Sequence, residues 1–415
     1  VALTLEDYKK NKKYTSAFVR ELAEATSRSY HAWIEARKQN DFRVFEKSLG
    51  DLIRLKQEET RVLGFEQHPY DALLNEFEKG ATTAWLDTLF DTLREPLQSL
   101  LSAVMQRPQP DDGFLRQAFD RDAQWRFGMD MLKRMGYDFE AGSQDISEHP
   151  FTTSFNTGDV RVTTRIDEND FTSMTWSCLH EGGHALYEQG LPADQYGLPL
   201  GEYCSLGIHE SQSRLWENCI GRNKAFIAHN IPLIRQYFPQ LSQAGPQQLF
   251  AAVNKVKPSL IRTEADELTY HFHVMIRYNL EKKLIEGTLN VKDIPSFWNG
   301  SYKALLGVDV PDDKKGCLQD IHWSHGSFGY FPTYSLGSLY AAQFFACMQK
   351  QIPGLLSRLE EGNYAPVHQW LQTHVYQYGR AYTSNALCNK ITGEPLQLKY
   401  FMQYLTNKYR AVYHF

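Results

Sequence analysis

The chain has 415 residues, of which 42% are hydrophobic and 22% are charged. This composition is typical of a folded globular protein and excludes a disordered tail, a collagen-like fibre and a small disulfide-bonded scaffold. The 44 basic and 49 acidic residues give a net charge of −5, so we expect no nucleic-acid partner. No apolar run is long enough to predict a membrane-spanning helix, and no membrane partner is expected.

Helical patterns dominate the chain from its first residue. Residues 1–136 carry apolar side chains at three- and four-residue spacings, which predicts helices almost throughout. Residues 149–167 differ, because two segments rich in β-branched residues flank the turn segment Phe155–Asp159 and predict a β-hairpin. Helices are predicted again, in pieces, in the following ranges: 172–189, 203–227, 247–286, 333–349 and 365–408.

The central predicted helix contains His180-Glu181-Gly182-Gly183-His184, which matches the motif H-E-x-x-H. Two imidazoles four residues apart lie on one helix face and can bind one Zn²⁺ ion, while Glu181 can take a proton from a water at the metal. Two solvated surface histidines are the alternative, and the apolar character of the surrounding helix disfavours it. Since two glycines are costly inside a helix, we expect a substrate to approach the backbone at Gly182 and Gly183.

Two histidines leave at least one protein ligand to be found further along the chain. The acidic candidates are Glu188, Asp194, Glu202, Glu210 and Glu217. Glu188 lies one turn beyond His184 on the same helix and is expected to point away along its axis. Glu210, in the middle of the next predicted helix, is preferred, and Glu217 follows it as a second choice.

Six segments together resemble one family, the carboxypeptidase Taq metallocarboxypeptidases (M32), over essentially the whole chain. They are His149–Phe151, Asp159–Thr163, His180–His184, His209–Gln212, Ile261–Asp266 and Gly316–Trp323. The resemblance implies His180, His184 and Glu210 as metal ligands and Glu181 as general base and acid. It also implies Zn²⁺, replaceable by Co²⁺, a mostly helical fold with an active-site groove, a homodimer, and release of single C-terminal amino acids from peptides.

The fold predicted from these patterns is mainly α, a large helical body of zincin type with a groove and one small β hairpin or sheet before the H-E-x-x-H helix. Without repeats or linkers, we expect one metallopeptidase domain over residues 1–415. Residues 1–136 would form its helical N-terminal part and residues 137–415 its catalytic part.

A carboxypeptidase must bind the free carboxylate of its substrate, and arginine does this best through a planar two-pronged contact. Arg262 is the first candidate and Arg161 the second. The oxyanion of the reaction needs donors besides the metal, and we expect His322 with either Tyr330 or Tyr334, which the sequence does not separate. Asp159 and Gln319–Asp320 are candidates for orienting the ligand histidine rings.

Two other functions fit the motif. One is a zinc oligopeptidase or dipeptidyl carboxypeptidase on a similar scaffold. The other is a non-catalytic metal-binding protein, because family members carry a segment before the position of Val1 that we expect to be absent here. Six scattered cysteines without a CxxC pair, and an N-terminus lacking signal-peptide features, predict a cytoplasmic location.

Overall fold

The computed structural model describes residues 1–415 and contains seventeen α-helices and three β-strands. The first ten helices, in chain order, are α1 (Ala2–Asn11), α2 (Ser16–Gln39), α3 (Arg43–Leu63), α4 (Pro69–Phe77), α5 (Thr83–Met105), α6 (Arg121–Met135), α7 (Phe171–Gln189), α8 (Leu206–Arg214), α9 (Lys224–Tyr237) and α10 (Pro246–Val253). The remaining helices are α11 (Tyr270–Glu286), α12 (Ile294–Leu306), α13 (Pro332–Gln351), α14 (Leu355–Glu360), α15 (Ala365–His374), α16 (Ser384–Thr392) and α17 (Leu398–Tyr413). The strands are β1 (Gly142–Ile146), β2 (Thr152–Asn156) and β3 (Asp159–Thr164).

These elements confirm the prediction of a mainly helical fold with one small β element before the H-E-x-x-H helix. None of the helices is both long enough and apolar enough to cross a membrane. The prediction of helix over 247–286 was partly wrong, because α10 ends at Val253 and α11 begins only at Tyr270. Pro258 lies in the intervening segment, where a helix would lose a backbone donor and clash with the preceding turn.

Backbone contacts divide the chain into two units. The first unit comprises Val1–Leu101 and Val256–Ser335, and the second comprises Ser102–Lys255 and Leu336–Phe415. Two of the three divisions fall inside α5 and α13. The expectation of a single metallopeptidase domain with parts 1–136 and 137–415 stays a prediction.

In the first unit, α2 packs along α3, and α11 contacts α3, α4 and α12. The α2–α3 contact is apolar, since Phe18 and Ala25 of α2 are buried against Leu52 and Leu55 of α3. Helix α2 begins where the Thr15 side chain accepts the Phe18 amide hydrogen, which satisfies a backbone donor that has no partner inside the helix. Burial of this stripe accounts for the three- and four-residue spacing of the N-terminal sequence.

In the second unit, three strands form a sheet in the order β1-β3-β2. Strand β2 pairs antiparallel with β3, as the hairpin prediction required, and β1 pairs parallel with β3. Val160 and Val162 are buried while Arg161 is exposed, which is the alternation expected of a strand with one buried face. Helix α7 packs against β3, β2, α6 and α8, so the helix that carries the H-E-x-x-H motif has neighbouring elements on several sides.

Candidate metal centre

Two neighbouring helices of the second unit bring the predicted ligands together. Helix α7 starts at the capping residue Asp170, and its regular geometry places His180 and His184 one turn apart with ring centroids 4.9 Å from each other. Helix α8 starts at Ser205, whose hydroxyl accepts the Ile208 amide hydrogen. It carries Glu210 to the two histidines, and one donor atom from each of the three residues lies within 4.8 Å of the others.

The atoms that converge are the ones a metal ion would need. The Glu210 Oε2 atom lies 3.7 Å from Nε2 of His180 and 3.4 Å from Nε2 of His184. The Nδ1 atoms of both rings bind other partners, so both Nε2 atoms face the carboxylate. Two imidazole nitrogens and one carboxylate oxygen form the donor set of many zinc enzymes. The residues therefore fit a bound divalent metal.

Burial and neighbouring charges shift the pKa values of these three groups. Burial opposes ionisation of Glu210, but Arg214, His180 and His184 outweigh it and hold the pKa of Glu210 well below its usual range. The Nε of Arg214 donates to Glu210 Oε1 at 2.7 Å, which leaves Oε2 directed to the histidines. Burial lowers the pKa of His184, helped by His209 and His180, and so favours the neutral ring that binds metals. For His180, burial acts in the same direction, but Glu210 and Glu217 outweigh it and raise its pKa.

The Nδ1 atoms of the two predicted ligand histidines contact residues for which the sequence analysis did not predict this role. Glu217, the second-choice ligand, accepts at 2.9 Å from Nδ1 of His180 and belongs to a π-helical segment, Leu215–Gly221, that continues α8. His209 lies 2.6 Å from Nδ1 of His184. Asp159, proposed for this orienting role, pairs instead with Arg161. His209 is adjacent to Glu210 in the sequence, but nothing in the helical spacing indicated its contact with α7.

Asp320, the other carboxylate predicted to orient a ligand histidine, lies in the first unit. Its carboxylate forms ion pairs with Arg262 and Arg277. Gln319 accepts hydrogen bonds from the Arg262 backbone amide and from the Arg277 guanidinium. These two residues thus belong to a buried arginine–carboxylate network of that unit.

Glu181 is buried on α7, and strand β2 fixes its position. The Thr152 hydroxyl lies 2.8 Å from Glu181 Oε2, within hydrogen-bond distance of the carboxylate. The same hydroxyl lies 3.1 Å from the Glu181 backbone carbonyl. A buried carboxylate held by a hydroxyl from a neighbouring strand is suited to move a proton at a fixed place. Sequence reasoning identified Glu181 but not Thr152, because the contact joins two distant segments.

The expectation that a substrate approaches the backbone at the two glycines was wrong. A methyl group at Gly183 would lie 2.5 Å from the Gln212 carbonyl oxygen and 2.7 Å from Ser213 Cα, so the α8 backbone occupies this space. At Gly182 the neighbours are the side-chain ends of Leu132 and Met135 on α6. Gly183 therefore permits the close approach of α7 and α8 that brings Glu210 to the histidines.

The two predicted carboxylate-binding arginines have different surroundings. Arg161 of the second unit is exposed on β3 and makes a two-pronged pair with Asp159 at 2.8 and 2.9 Å. Arg262 of the first unit is buried and donates to Asp320 and to the Tyr270 hydroxyl.

His322, Tyr330 and Tyr334 cluster within the first unit, as their segment predicted. His322 Nε2 lies 3.0 Å from the Tyr334 hydroxyl, and its ring centroid is 5.2 Å from that of Tyr330. Burial and the Arg262 guanidinium lower the pKa of His322 to about 3, so its ring is neutral near pH 7. Arg262 also lies 4.6 Å from the Tyr334 ring centroid. Tyr334 thus shares contacts with both His322 and Arg262.

A mainly helical fold with an H-E-x-x-H helix, and a glutamate supplied by the next helix, defines the class of helical metallopeptidases. The sequence model described as "Carboxypeptidase Taq (M32) metallopeptidase" matches residues 1–409. The chain therefore belongs to the carboxypeptidase Taq (M32) family of metallopeptidases. This confirms the prediction of a metallocarboxypeptidase, a peptide hydrolase, and does not support the oligopeptidase alternative.

Individual relatives agree with the family. Carboxypeptidase 1 of Bacillus subtilis (strain 168) is 41% identical over 415 residues, which are 100% of this chain and 83% of the relative. Thermostable carboxypeptidase 1 of Thermus thermophilus is 41% identical over 404 residues, covering 95% of this chain and 79% of the relative. The crystal structure of the M32 carboxypeptidase from Deinococcus radiodurans R1 superposes with a TM-score of 0.96 at 39% identity, covering 99% of this chain and 83% of that one.

Proposed function

We propose that the chain is a zinc carboxypeptidase that releases single amino acids from the free C-terminus of peptides, with His180, His184 and Glu210 as metal ligands. The convergence of His180 Nε2, His184 Nε2 and Glu210 Oε2 carries this proposal. Zn²⁺ is the expected ion because the donors are two imidazoles and a carboxylate, and Co²⁺ would suit the same set. When bound there, the ion would act as a Lewis acid that lowers the pKa of water and polarises the substrate carbonyl.

Glu181 is the proposed general base and acid. Its carboxylate takes the proton of the attacking water and passes it to the amine of the departing amino acid. The contact with the Thr152 hydroxyl holds one carboxylate oxygen, Oε2. The other oxygen, Oε1, is the one proposed to move the proton.

Other residues are proposed to bind the substrate. Arg262 is the first candidate for the terminal carboxylate and Arg161 the second. Its guanidinium donates to Asp320 and to the Tyr270 hydroxyl and lies 4.6 Å from the Tyr334 ring centroid, so it is held in one orientation. His322 with Tyr330 or Tyr334 is proposed to donate to the developing oxyanion, and the contact between His322 and Tyr334 favours this pair.

The proposal also covers the oligomeric state, the cellular location and the substrates of the protein. We expect a homodimer on the family resemblance, and a cytoplasmic location on the scattered cysteines, which form no CxxC pair in the sequence. Peptides with a free C-terminus are the expected substrates.

A digest of an N-blocked hexapeptide tests the proposed activity. The peptide is offered with a free and with an amidated C-terminus, with and without added Zn²⁺, and the products are read by mass spectrometry. Stepwise loss of single residues from the free form alone is expected. Internal cleavage of both forms would refute the proposal and indicate an oligopeptidase, whereas metal binding without any product would indicate a non-catalytic protein.

Two substitutions separate metal binding from proton transfer. Glu181→Gln is expected to keep the metal and to lose turnover by a factor of about 10²–10⁴, since an amide cannot take the proton. His184→Ala is expected to lose the metal, as measured by elemental analysis. Full turnover of Glu181→Gln, or full metal content of His184→Ala, would contradict the assigned roles.

A further inference from the structure

The two ligand histidines are supported in different ways. Nδ1 of His180 faces the carboxylate of Glu217 directly. Nδ1 of His184 faces no carboxylate but the imidazole of His209, whose Nδ1 lies 2.6 Å away. The far nitrogen of His209, Nε2, lies 2.7 Å from Glu188 Oε1. The chain His184–His209–Glu188 therefore joins one metal ligand to a carboxylate through a second imidazole.

The Glu188 carboxylate at one end of this hydrogen-bonded series determines which ring nitrogens carry hydrogen atoms. A carboxylate accepts hydrogen bonds, so His209 must carry its hydrogen on Nε2 and donate it to Glu188. In a neutral ring the other nitrogen is then bare, and His209 Nδ1 accepts a hydrogen from Nδ1 of His184. This leaves Nε2 of His184 without a hydrogen on the side of Glu210, which is the state that can bind a metal.

Local packing holds His209 in this position. The Tyr187 and Tyr203 rings lie with centroids 5.3 and 5.0 Å from that of His209. The Tyr187 hydroxyl in turn accepts the Cys204 backbone amide hydrogen, which ties this tyrosine to the segment before α8. Glu188 lies one turn beyond His184 on α7, so both ends of the chain are fixed to the same helix face.

We infer that His209 and Glu188 are positioning residues that fix the ring orientation and the tautomer of His184, and thereby raise the affinity of the centre for its metal. The inference rests on the proposed function, because it takes His184 as a metal ligand. Neither residue touches the substrate in this role. Partners of this kind behind a metal ligand are generally worth 10–100-fold in metal affinity.

Zinc affinity provides a test that does not depend on turnover. The dissociation constant of Zn²⁺ is measured for the purified full chain by competition with a chromophoric chelator. His209→Phe is expected to weaken binding by about 10–100-fold, and Glu188→Gln by a smaller factor, because the neutral amide still accepts a hydrogen bond. His229→Phe, the same change at a half-buried histidine of α9 outside the centre, serves as the matched control and is expected to bind normally.

Two further measurements distinguish positioning from loss of structure. A structural defect would lower the unfolding temperature of the metal-free and the zinc-loaded protein alike. Loss of positioning mainly reduces the stabilisation of the folded protein by bound Zn²⁺. This stabilisation falls by about 1.4 kcal/mol for each tenfold loss of zinc affinity. The visible spectrum of the Co²⁺-loaded protein should change in His209→Phe and stay unchanged in His229→Phe.

The outcomes separate this inference from the proposed function. Wild-type zinc affinity and an unchanged Co²⁺ spectrum in His209→Phe would overturn the inference while leaving the metal centre intact. If His209→Phe does not fold, Glu188→Gln decides, and wild-type affinity in that variant overturns the inference. Failure of the wild-type chain to bind Zn²⁺ or Co²⁺ would instead refute the metal centre itself, and the inference with it.

Discussion

Two adjacent glycines in α7 should respond very differently to the same substitution. Alanine at Gly183 would place its methyl group 2.5 Å from the Gln212 carbonyl oxygen, where backbone cannot rotate away. Alanine at Gly182 would meet Leu132 Cδ2 at 2.7 Å and Met135 Cε at 2.8 Å, which are the ends of flexible side chains. Both changes improve helix propensity by about 1 kcal/mol, so the difference between them isolates the close contact of α7 with α8.

The size of the effect follows from the distances. The α8 backbone would have to retreat by about 1 Å to restore ordinary contact with a methyl group at Gly183. Overpacking of this kind costs about 1–3 kcal/mol, so we expect Gly183→Ala to be about 1–2 kcal/mol less stable than Gly182→Ala. Glu210 lies on the displaced helix, and ligand positions are held to about 0.5 Å in working sites. The zinc affinity of Gly183→Ala should therefore fall by at least about tenfold, since 1 Å exceeds that tolerance.

Denaturant unfolding in excess chelator measures the stability difference without the metal, and chelator competition measures zinc affinity. Gly182→Ala is the control for both measurements. Equal stability and equal zinc affinity of the two variants would refute the argument that Gly183 sets the distance between the two helices.

Two further predictions concern buried charges of the first unit. Burial raises the pKa of Glu281 to about 7, so the folded state holds a proton that the unfolded state releases near pH 4.5. Stability should fall as the pH rises from about 4.5 to 7, by up to about 3 kcal/mol. Glu281→Gln should flatten the pH profile of the unfolding midpoint, and parallel profiles for both proteins would contradict this. Asp320→Ala leaves Arg262 and Arg277 buried without their carboxylate and should cost about 3–5 kcal/mol. The control Asp309→Ala, which breaks an exposed pair with Lys303, should cost less than about 1 kcal/mol in the same denaturant titration, and an equal loss in both variants would contradict the prediction.

Local patterns were sufficient for the parts of the fold and site that lie within one element. Helical periodicity alone places His180 and His184 on one face. The preference for Glu210 rested only on its position in the middle of the next predicted helix. The hairpin of β2 and β3 was predictable because its turn and both strands are contiguous. These features depend on interactions between residues close in the sequence, where spacing fixes geometry.

Features that join distant segments were missed. Strand β1 pairs in parallel with β3, although β2 lies between them in the sequence, and no local signal specifies such a partner. The contact of Thr152 with Glu181 joins β2 to α7. Gly183 was predicted to make room for a substrate because the sequence does not indicate that α8 packs against α7 at this position. Asp159 forms an ion pair with Arg161 and Asp320 with Arg262, and the sequence analysis predicted neither pair.

Arg214 shows why the polar groups of the metal centre can be buried together. Its Nε atom donates to Glu210 Oε1 at 2.7 Å, and NH1 lies 3.2 Å from Glu217 Oε2. The Arg214 cation thus neutralises the proposed ligand carboxylate of Glu210 and also the Glu217 carboxylate that contacts His180. It outweighs burial and, together with His180 and Arg222, lowers the pKa of Glu217 to about 2.

The helix geometry around Arg214 makes this double contact possible. Arg214 is the last residue of α8, four residues after Glu210, and the π-helical segment that carries Glu217 begins directly after it. Residues three and four apart share a helix face, so the guanidinium reaches both carboxylates from between them. A single π-helical insertion of this kind is common at functional sites. Here the π-helical segment directly follows Arg214, the residue that bridges the proposed metal ligand Glu210 and Glu217. The same short segment therefore fixes the positions of both carboxylates and supplies the positive charge between them.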